Sequence, residues 1–104
     1  MAYQLTRHKF RARPEVYDGI HFSSQKEKRY YQDLCIARGA GTLLFFLRQV
    51  PFHLPGGVRY VVDFAEFWSD GSVRFVDVKG MRTDMYILKK KQVEAIYPIT
   101  ITEA

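Results

Sequence analysis

Residues 58–80 read VRYVVDFAEFWSDGSVRFVDVKG, two apolar segments joined by Ser-Asp-Gly. β-Branched and aromatic residues dominate both segments, so we predict an antiparallel pair of strands over 59–68 and 72–79. An aspartate interrupts each apolar run, Asp63 in the first and Asp77 in the second. A charge in an apolar strand is costly unless it is paired or binds a metal. These two acids therefore mark a candidate site.

The loop between the two strands decides whether the aspartates face each other. A two-residue turn at 70–71 would pair Asp63 with Val78 and place the carboxylates on opposite faces. A three-residue loop over 69–71, with a type I turn and the glycine in the left-handed region, instead pairs Asp63 with Asp77. We predict the three-residue loop and therefore two facing carboxylates.

The predicted site has the chemistry of a metal centre. Two facing carboxylates repel each other unless a divalent cation lies between them, and all-oxygen ligation suits Mg²⁺ or Mn²⁺. Lys79 shares the face of Asp77 because residues two apart in a strand point the same way. A buried salt bridge is the alternative, but three charges that converge on an apolar face are more typical of a functional site.

The surrounding segments predict one α/β domain over residues 1–104. A basic arm over 1–15 and an Asp-Gly hairpin over 16–22 precede a core over 23–104. The core order is α, β, β, β, α, β, and its final β-α-β step predicts a right-handed crossover between parallel strands, hence a mixed sheet flanked by helices. The predicted core elements outside the aspartate hairpin are a helix over 25–38, a strand over 43–54, a helix over 85–97 capped by Asp84, and a strand over 99–102.

Glu27 lies in the first predicted helix and has two readings. With Ser24 it has the spacing of a capping box, in which it would satisfy the start of the helix. A helical projection also places it in the middle of the apolar face, so that it would point toward the sheet and the two aspartates. Both roles are compatible, and we predict that Glu27 belongs to the site.

Three further polar residues are weaker candidates. Gln49 lies on the first core strand, either near the metal or simply as a polar residue at the strand edge. Lys89 and Gln92 fall on the predicted apolar face of the second helix, with Met85, Leu88, Val93 and Ile96. They either reach the edge of the active site or DNA, or Lys89 extends its charge to solvent at the rim of the sheet.

The charge balance predicts a polyanionic partner. The chain has 16 Lys and Arg against 11 Asp and Glu, a net charge of +5. The excess is clustered in the N-terminal arm and around the second helix, so these regions are expected to contact DNA phosphates. The predicted DNA-binding residues are Arg7, Lys9, Arg11, Arg13, Arg82, Lys89 and Lys90.

The remaining composition excludes several protein classes. The single cysteine allows no internal disulfide and no Cys-rich zinc site. No apolar stretch approaches the roughly 20 residues that cross a bilayer, so we expect no membrane association. The charged N-terminus is unlike a signal peptide, and the expected location is cytoplasmic.

The pattern of motifs resembles the PD-(D/E)xK nuclease superfamily. Its αβββαβ layout places an acid on one strand and D-x-K on the next, as Asp63 and residues 77–79 do here. More narrowly, D-G-I-x-F-x-S-x-x-E over 18–27, V-D-F over 62–64 and D-V-K-G over 77–80 resemble the short phage endonuclease family related to phage endonuclease I, a group of Holliday-junction resolvases. The resemblance covers residues 16 to 102.

This resemblance implies a restriction-endonuclease-like core and a role for each site residue. Asp63 and Asp77 would ligate the metal together with the Val78 carbonyl, and Glu27 would complete the site or hold a second ion. Lys79 would orient or polarise the attacking water beside the scissile phosphate.

The resemblance also implies a substrate and an assembly. The expected substrate is branched DNA. Because resolution of a four-way junction needs two cuts and each chain has one site, a homodimer is expected. The alternatives are a nicking or restriction-like endonuclease with the same site and a non-catalytic nucleic-acid-binding module.

Overall fold

The computed structural model describes residues 15–78 and 82–104. Strands β1 (Glu15–Tyr17) and β2 (Ile20–Phe22) form a hairpin around Asp18 and Gly19. Both turn residues have positive φ, 54° and 73°, as a two-residue type I′ turn requires. The predicted Asp-Gly hairpin is thus confirmed. Five basic residues named above lie outside the described residues: Arg7, Lys9, Arg11, Arg13 and Lys79.

The core has the predicted order of elements and a mixed four-stranded sheet. The strand order is β3-β4-β5-β6, with β5 and β6 parallel and the other neighbours antiparallel. No helix among the described residues is long and apolar enough to cross a membrane. The core elements are α1 (Gln25–Ala40), β3 (Leu43–Leu54), β4 (Val58–Trp68), β5 (Val73–Asp77), α2 (Asp84–Ile96) and β6 (Ile101–Glu103).

The helix ends differ slightly from the prediction. Helix α1 runs two residues further than predicted, to Ala40, and is capped by Gly41, whose φ of 87° suits a left-handed C-cap. Helix α2 is capped by Thr83 rather than Asp84, because the threonine hydroxyl accepts a hydrogen bond from the Tyr86 amide. The last strand is Ile101–Glu103 and not 99–102, since its register follows the three final residues of β5.

The two helices cover opposite faces of the sheet. Val76 belongs to the cluster under α1 and Phe75 packs with the cluster under α2, and consecutive residues of a strand point to opposite faces. Phe64 and Val62 also belong to different clusters although they are two residues apart. The β3–β4 hairpin therefore changes its packing partners at Asp63.

The inward face of α2 differs from the prediction. Met85, Leu88 and Ile96 are exposed by 60%, 51% and 51%, whereas Tyr86 and Val93 are buried. The reason is that Tyr86 packs its ring near Tyr60 and donates its hydroxyl to Glu103, so an amphipathic side chain sets the orientation of the helix. Lys89 is only half-buried and Gln92 is exposed, so neither lies on a buried face.

One buried acid lies outside the candidate site. Glu66 is fully buried on β4, and its carboxylate accepts hydrogen bonds from the Tyr30 hydroxyl at 2.5 Å and from the Trp68 indole at 3.1 Å. Burial, together with the hydrogen bond to Glu66, raises the pKa of Tyr30 well above its usual value. Neutral donors thus satisfy this carboxylate within the core.

Candidate functional site

The turn between β4 and β5 places the two aspartates opposite each other. Gly71 has a φ of 90°, its amide bonds the Trp68 carbonyl at 3.0 Å, and the Trp68 amide bonds the Ser72 carbonyl at 2.9 Å. This is the predicted three-residue loop. The resulting register pairs Phe64 with Val76, and one further step along both strands brings Asp63 opposite Asp77.

The carboxylate of each aspartate accepts a hydrogen bond from a main-chain amide at or beside the other aspartate. The Asp63 amide donates to Asp77 Oδ1 at 2.9 Å, and the Val78 amide donates to Asp63 Oδ2 at 2.9 Å. The Tyr60 hydroxyl donates to Asp77 Oδ2. Asp77 is completely buried, whereas Asp63 is half-exposed. These bonds fix the Asp77 carboxylate at the main chain of Asp63.

Glu27 projects from the first turn of α1 toward Asp63. Its amide is held by the Ser24 hydroxyl at 3.1 Å, the first half of a capping box. Glu27 as a residue is 4% exposed, and its carboxylate accepts a hydrogen bond from the Ser23 hydroxyl at 2.8 Å. Glu27 therefore belongs to the start of α1 and also lines the same cleft as Asp63.

Gln49 on β3 contacts both Glu27 on α1 and Asp63 on β4. Its side-chain amide lies 3.4 Å from Glu27 Oε2 and 3.4 Å from Asp63 Oδ1. The two carboxylates can thus be no further apart than the sum of these distances. Gln49 also has a φ of 55°, which is rare for a residue other than glycine. Such backbone conformations are concentrated at functional sites.

These residues line a small polar cleft. The cleft has a volume of about 330 Å³, and its walls combine acids, a cation and neutral polar groups. A larger cleft of about 460 Å³ near the start of β6 has Arg74 as the only ionisable residue among its described lining residues. The smaller cleft therefore has more ionisable side chains among its described lining residues than the larger one. Its lining residues are His21, Ser23, Glu27, Arg48, Gln49 and Asp63.

Ser23 and Arg48 are cleft residues that the sequence analysis missed. Arg48 Nη2 lies 3.6 Å from Glu27 Oε2, and Ser23 bonds Glu27 directly. A sequence signal existed for Arg48, because it is the only charge inside the long apolar strand β3. The same reasoning that selected the two aspartates would have selected it.

A second polar cluster lies beside Asp77 on the neighbouring strand. Glu103 pairs with Asp77 in the parallel register of β5 and β6. Its carboxylate accepts from the Tyr86 hydroxyl at 3.0 Å and forms ion pairs with Arg82 at 3.2 Å and Lys90 at 3.5 Å. The Tyr86 bond and the two cations hold the pKa of Glu103 below its usual value. Two of the predicted DNA-binding residues are thus paired with this acid.

The candidate metal ligands among the described residues are of the type that a hard cation prefers. Asp63, Glu27 and Asp77 offer only oxygen, the ligand that Mg²⁺ and Mn²⁺ prefer, and a carboxylate oxygen that accepts one hydrogen bond keeps a second lone pair. Within residues 15–78 and 82–104, no three His, Cys, Asp or Glu side chains are grouped closely enough to hold a metal ion. Asp77 lies behind Asp63, so the described cleft itself contains two of the three predicted carboxylates.

Comparisons with known proteins show a family but no characterised relative. No curated protein and no solved structure matches the chain. One family profile matches residues 7–102, which is nearly the whole chain. The chain therefore belongs to the DUF1064 family, which is described as a family of proteins of unknown function.

Proposed function

We propose that this protein is a Mg²⁺- or Mn²⁺-dependent DNA endonuclease with a restriction-endonuclease-like core, acting on branched DNA in the manner of a phage-type Holliday-junction resolvase. The observation that carries the proposal is the position of Asp63 beside both Asp77 and Glu27. The first two face each other across a hairpin, and Gln49 joins Glu27 to Asp63. These acids come from three separate elements.

The residue types support phosphodiester hydrolysis. Asp63, Asp77 and Glu27, with the Val78 carbonyl, would hold the metal. A bound divalent cation would supply Lewis acidity at the phosphate and a more acidic water. Lys79 follows Asp77 by two residues and would orient or polarise the attacking water, the role that the resemblance to PD-(D/E)xK nucleases implies.

The fold and the charge support the same reading. The order of core elements, α1 followed by three strands, α2 and β6, is that of the αβββαβ nuclease core. The chain has a net charge of +5 although three of its acids belong to the proposed metal site. A surface of this kind binds phosphates, and its affinity should fall steeply as the salt concentration rises.

A cleavage assay on several DNA shapes tests the proposal. We expect Mn²⁺ or Mg²⁺ to support cleavage of a four-way junction in preference to a linear or a nicked duplex, and EDTA to abolish it. The Asp63→Asn protein should lose at least roughly 100-fold in rate because it loses a ligand at the reacting centre. Asp33→Asn is the matched control, since Asp33 is exposed on α1, and it should cleave like the natural protein.

The other outcomes separate the alternatives. Equal cleavage of linear, nicked and branched DNA would favour a restriction-like or nicking endonuclease with the same site. Full activity in Asp63→Asn and Asp77→Ala would contradict the metal site. Tight DNA binding without cleavage in either metal would favour a non-catalytic binding module. Circular dichroism of each variant shows whether a loss of rate reflects a loss of fold.

A further inference from the structure

Arg48 is placed in the cleft by an aromatic contact. It lies on β3 next to Gln49, and its guanidinium carbon is 4.7 Å from the centre of the Phe22 ring. Phe22 is buried at the end of β2, so the ring is a fixed platform. A cation over an aromatic face is attracted to it, and a planar guanidinium on such a platform has few orientations. The Arg48 side chain nevertheless remains 22% exposed.

The hydrogen-bonding capacity of Arg48 is incompletely used. Its Nη2 lies 3.6 Å from Glu27 Oε2, which is close enough for an ion pair but long for a hydrogen bond. Its Nε is buried and has no hydrogen-bond partner among the described residues. Buried N–H groups are nearly always paired in proteins, so an exception calls for an explanation. An arginine that lines a cleft with uncommitted donors is suited to receive an anion.

The charges of the cleft identify the anion. Glu27 and Asp63 would repel an approaching phosphate, and Arg48 is the one arginine or lysine among the described lining residues. The fork of N–H groups in a guanidinium matches two oxygens of a phosphate. A carboxylate is already present at Glu27 and leaves the fork only partly satisfied.

We propose that Arg48 binds the non-bridging oxygens of one DNA phosphate in this cleft and so positions the strand against Asp63 and Glu27. The inference rests on the proposed function and adds a substrate-binding residue to it. The alternative is a purely structural Arg48–Glu27 pair. A structural pair would affect stability, but it would not depend on any particular phosphate.

A substitution in the DNA tests this distinction directly. Four-way junctions are synthesised with a single neutral methylphosphonate at successive positions of one strand, and binding is measured by fluorescence anisotropy in EDTA, where cleavage cannot occur. At one phosphate, or two adjacent ones, the neutral linkage should weaken binding by the natural protein roughly 10- to 100-fold, the effect of losing a charged hydrogen bond. The same linkage should cost the Arg48→Met protein little.

Two further variants complete the experiment. Arg29→Met removes a charge from α1 about 200° around the helix from Glu27, and it should keep the full sensitivity to the neutral linkage. Arg48→Lys keeps the charge without the fork and should give an intermediate effect, which serves if Arg48→Met does not fold. Thermal unfolding of each variant shows whether it folds.

The outcomes for Arg48 and for the nuclease proposal can be told apart. If Arg48→Met is as sensitive as the natural protein at every phosphate, the role of Arg48 is wrong even when the protein cleaves DNA. If one neutral linkage weakens binding by the natural protein but not by Arg48→Met, and neither metal supports cleavage, the nuclease proposal is wrong and the phosphate site stands. If the natural protein binds none of the DNA shapes, both proposals are wrong.

Discussion

Gln49 combines a strained backbone with a contact to both acids of the cleft. Its φ of 55° costs a non-glycine residue about 1–3 kcal/mol, and its side chain holds Glu27 and Asp63 together. We predict that Gln49→Gly relieves the strain and is more stable than Gln49→Ala by about 1 kcal/mol, because only glycine adopts positive φ freely. Both variants should cleave DNA more slowly because both lose the amide.

Urea unfolding of the two variants, together with their cleavage rates, checks this prediction. The alanine protein is the matched control, since it loses the same side chain but keeps the strained conformation. An alanine protein at least as stable as the glycine protein would show that the backbone at Gln49 is not strained. Unchanged cleavage by both would show that the amide has no role in holding the acids.

At the residue scale, the sequence predicted the acids that interrupt apolar segments but not what satisfies each of them. The parity of the 69–71 loop was enough to bring Asp63 opposite Asp77. Glu66 interrupts the same strand, yet it is a core residue that Tyr30 and Trp68 satisfy. Spacing within one strand cannot distinguish these cases, because the donors come from elements distant in sequence.

At the scale of elements, periodicity located the helices and strands but misjudged the inward face of α2. Met85 and Leu88 were expected to face inward because only their hydrophobicity was considered. The buried face instead contains Tyr86, whose hydroxyl needs a partner and finds one in Glu103 on β6. A pattern read from one helix does not show which acid on another strand will attract its tyrosine.

The contacts of Glu103 on β6 with Tyr86, Arg82 and Lys90 predict that the stability of the protein depends on pH. Bonding to Tyr86, Arg82 and Lys90 lowers the folded-state pKa of Glu103 from 4.5. A lowered pKa means that the folded state favours the charged form, so this contribution is present above the unfolded pKa and is lost as the pH falls through the folded one. Glu103→Gln cannot titrate, and its stability should fall less steeply below about pH 4.5.

Urea unfolding midpoints between about pH 6 and pH 3 measure this difference in slope. Asp33→Asn removes an exposed carboxylate that has no described ion pair, and it should follow the natural protein. The prediction fails if the Glu103→Gln and natural proteins lose stability in parallel over this range. It also fails if the stability advantage of the natural protein over Glu103→Gln grows as the pH falls.

The whole proposed site lies within one chain, and this bears on the assembly that the proposed function would need. Glu27 and Asp63 approach each other at one place, where α1 begins and where the β3–β4 hairpin changes its packing partners. Under the proposed function, one such site would cut one strand at a time. Symmetric cleavage of a four-way junction therefore needs two copies of the chain, related by a two-fold axis as the junction itself is.

We predict a homodimer with one independent site per chain. Light scattering should give twice the monomer mass of 12.2 kDa. Differently tagged natural and Asp63→Asn chains are then co-expressed, and the mixed dimers are purified by both tags. On a supercoiled plasmid with an extruded cruciform, the natural dimer should produce linear DNA. The mixed dimer should produce nicked circles, because only one of its two sites can cut.

A monomeric mass, or linear DNA from the mixed dimer, would contradict the prediction. Nicked circles from the natural protein alone would instead identify a nicking enzyme, whose single cut needs no second copy.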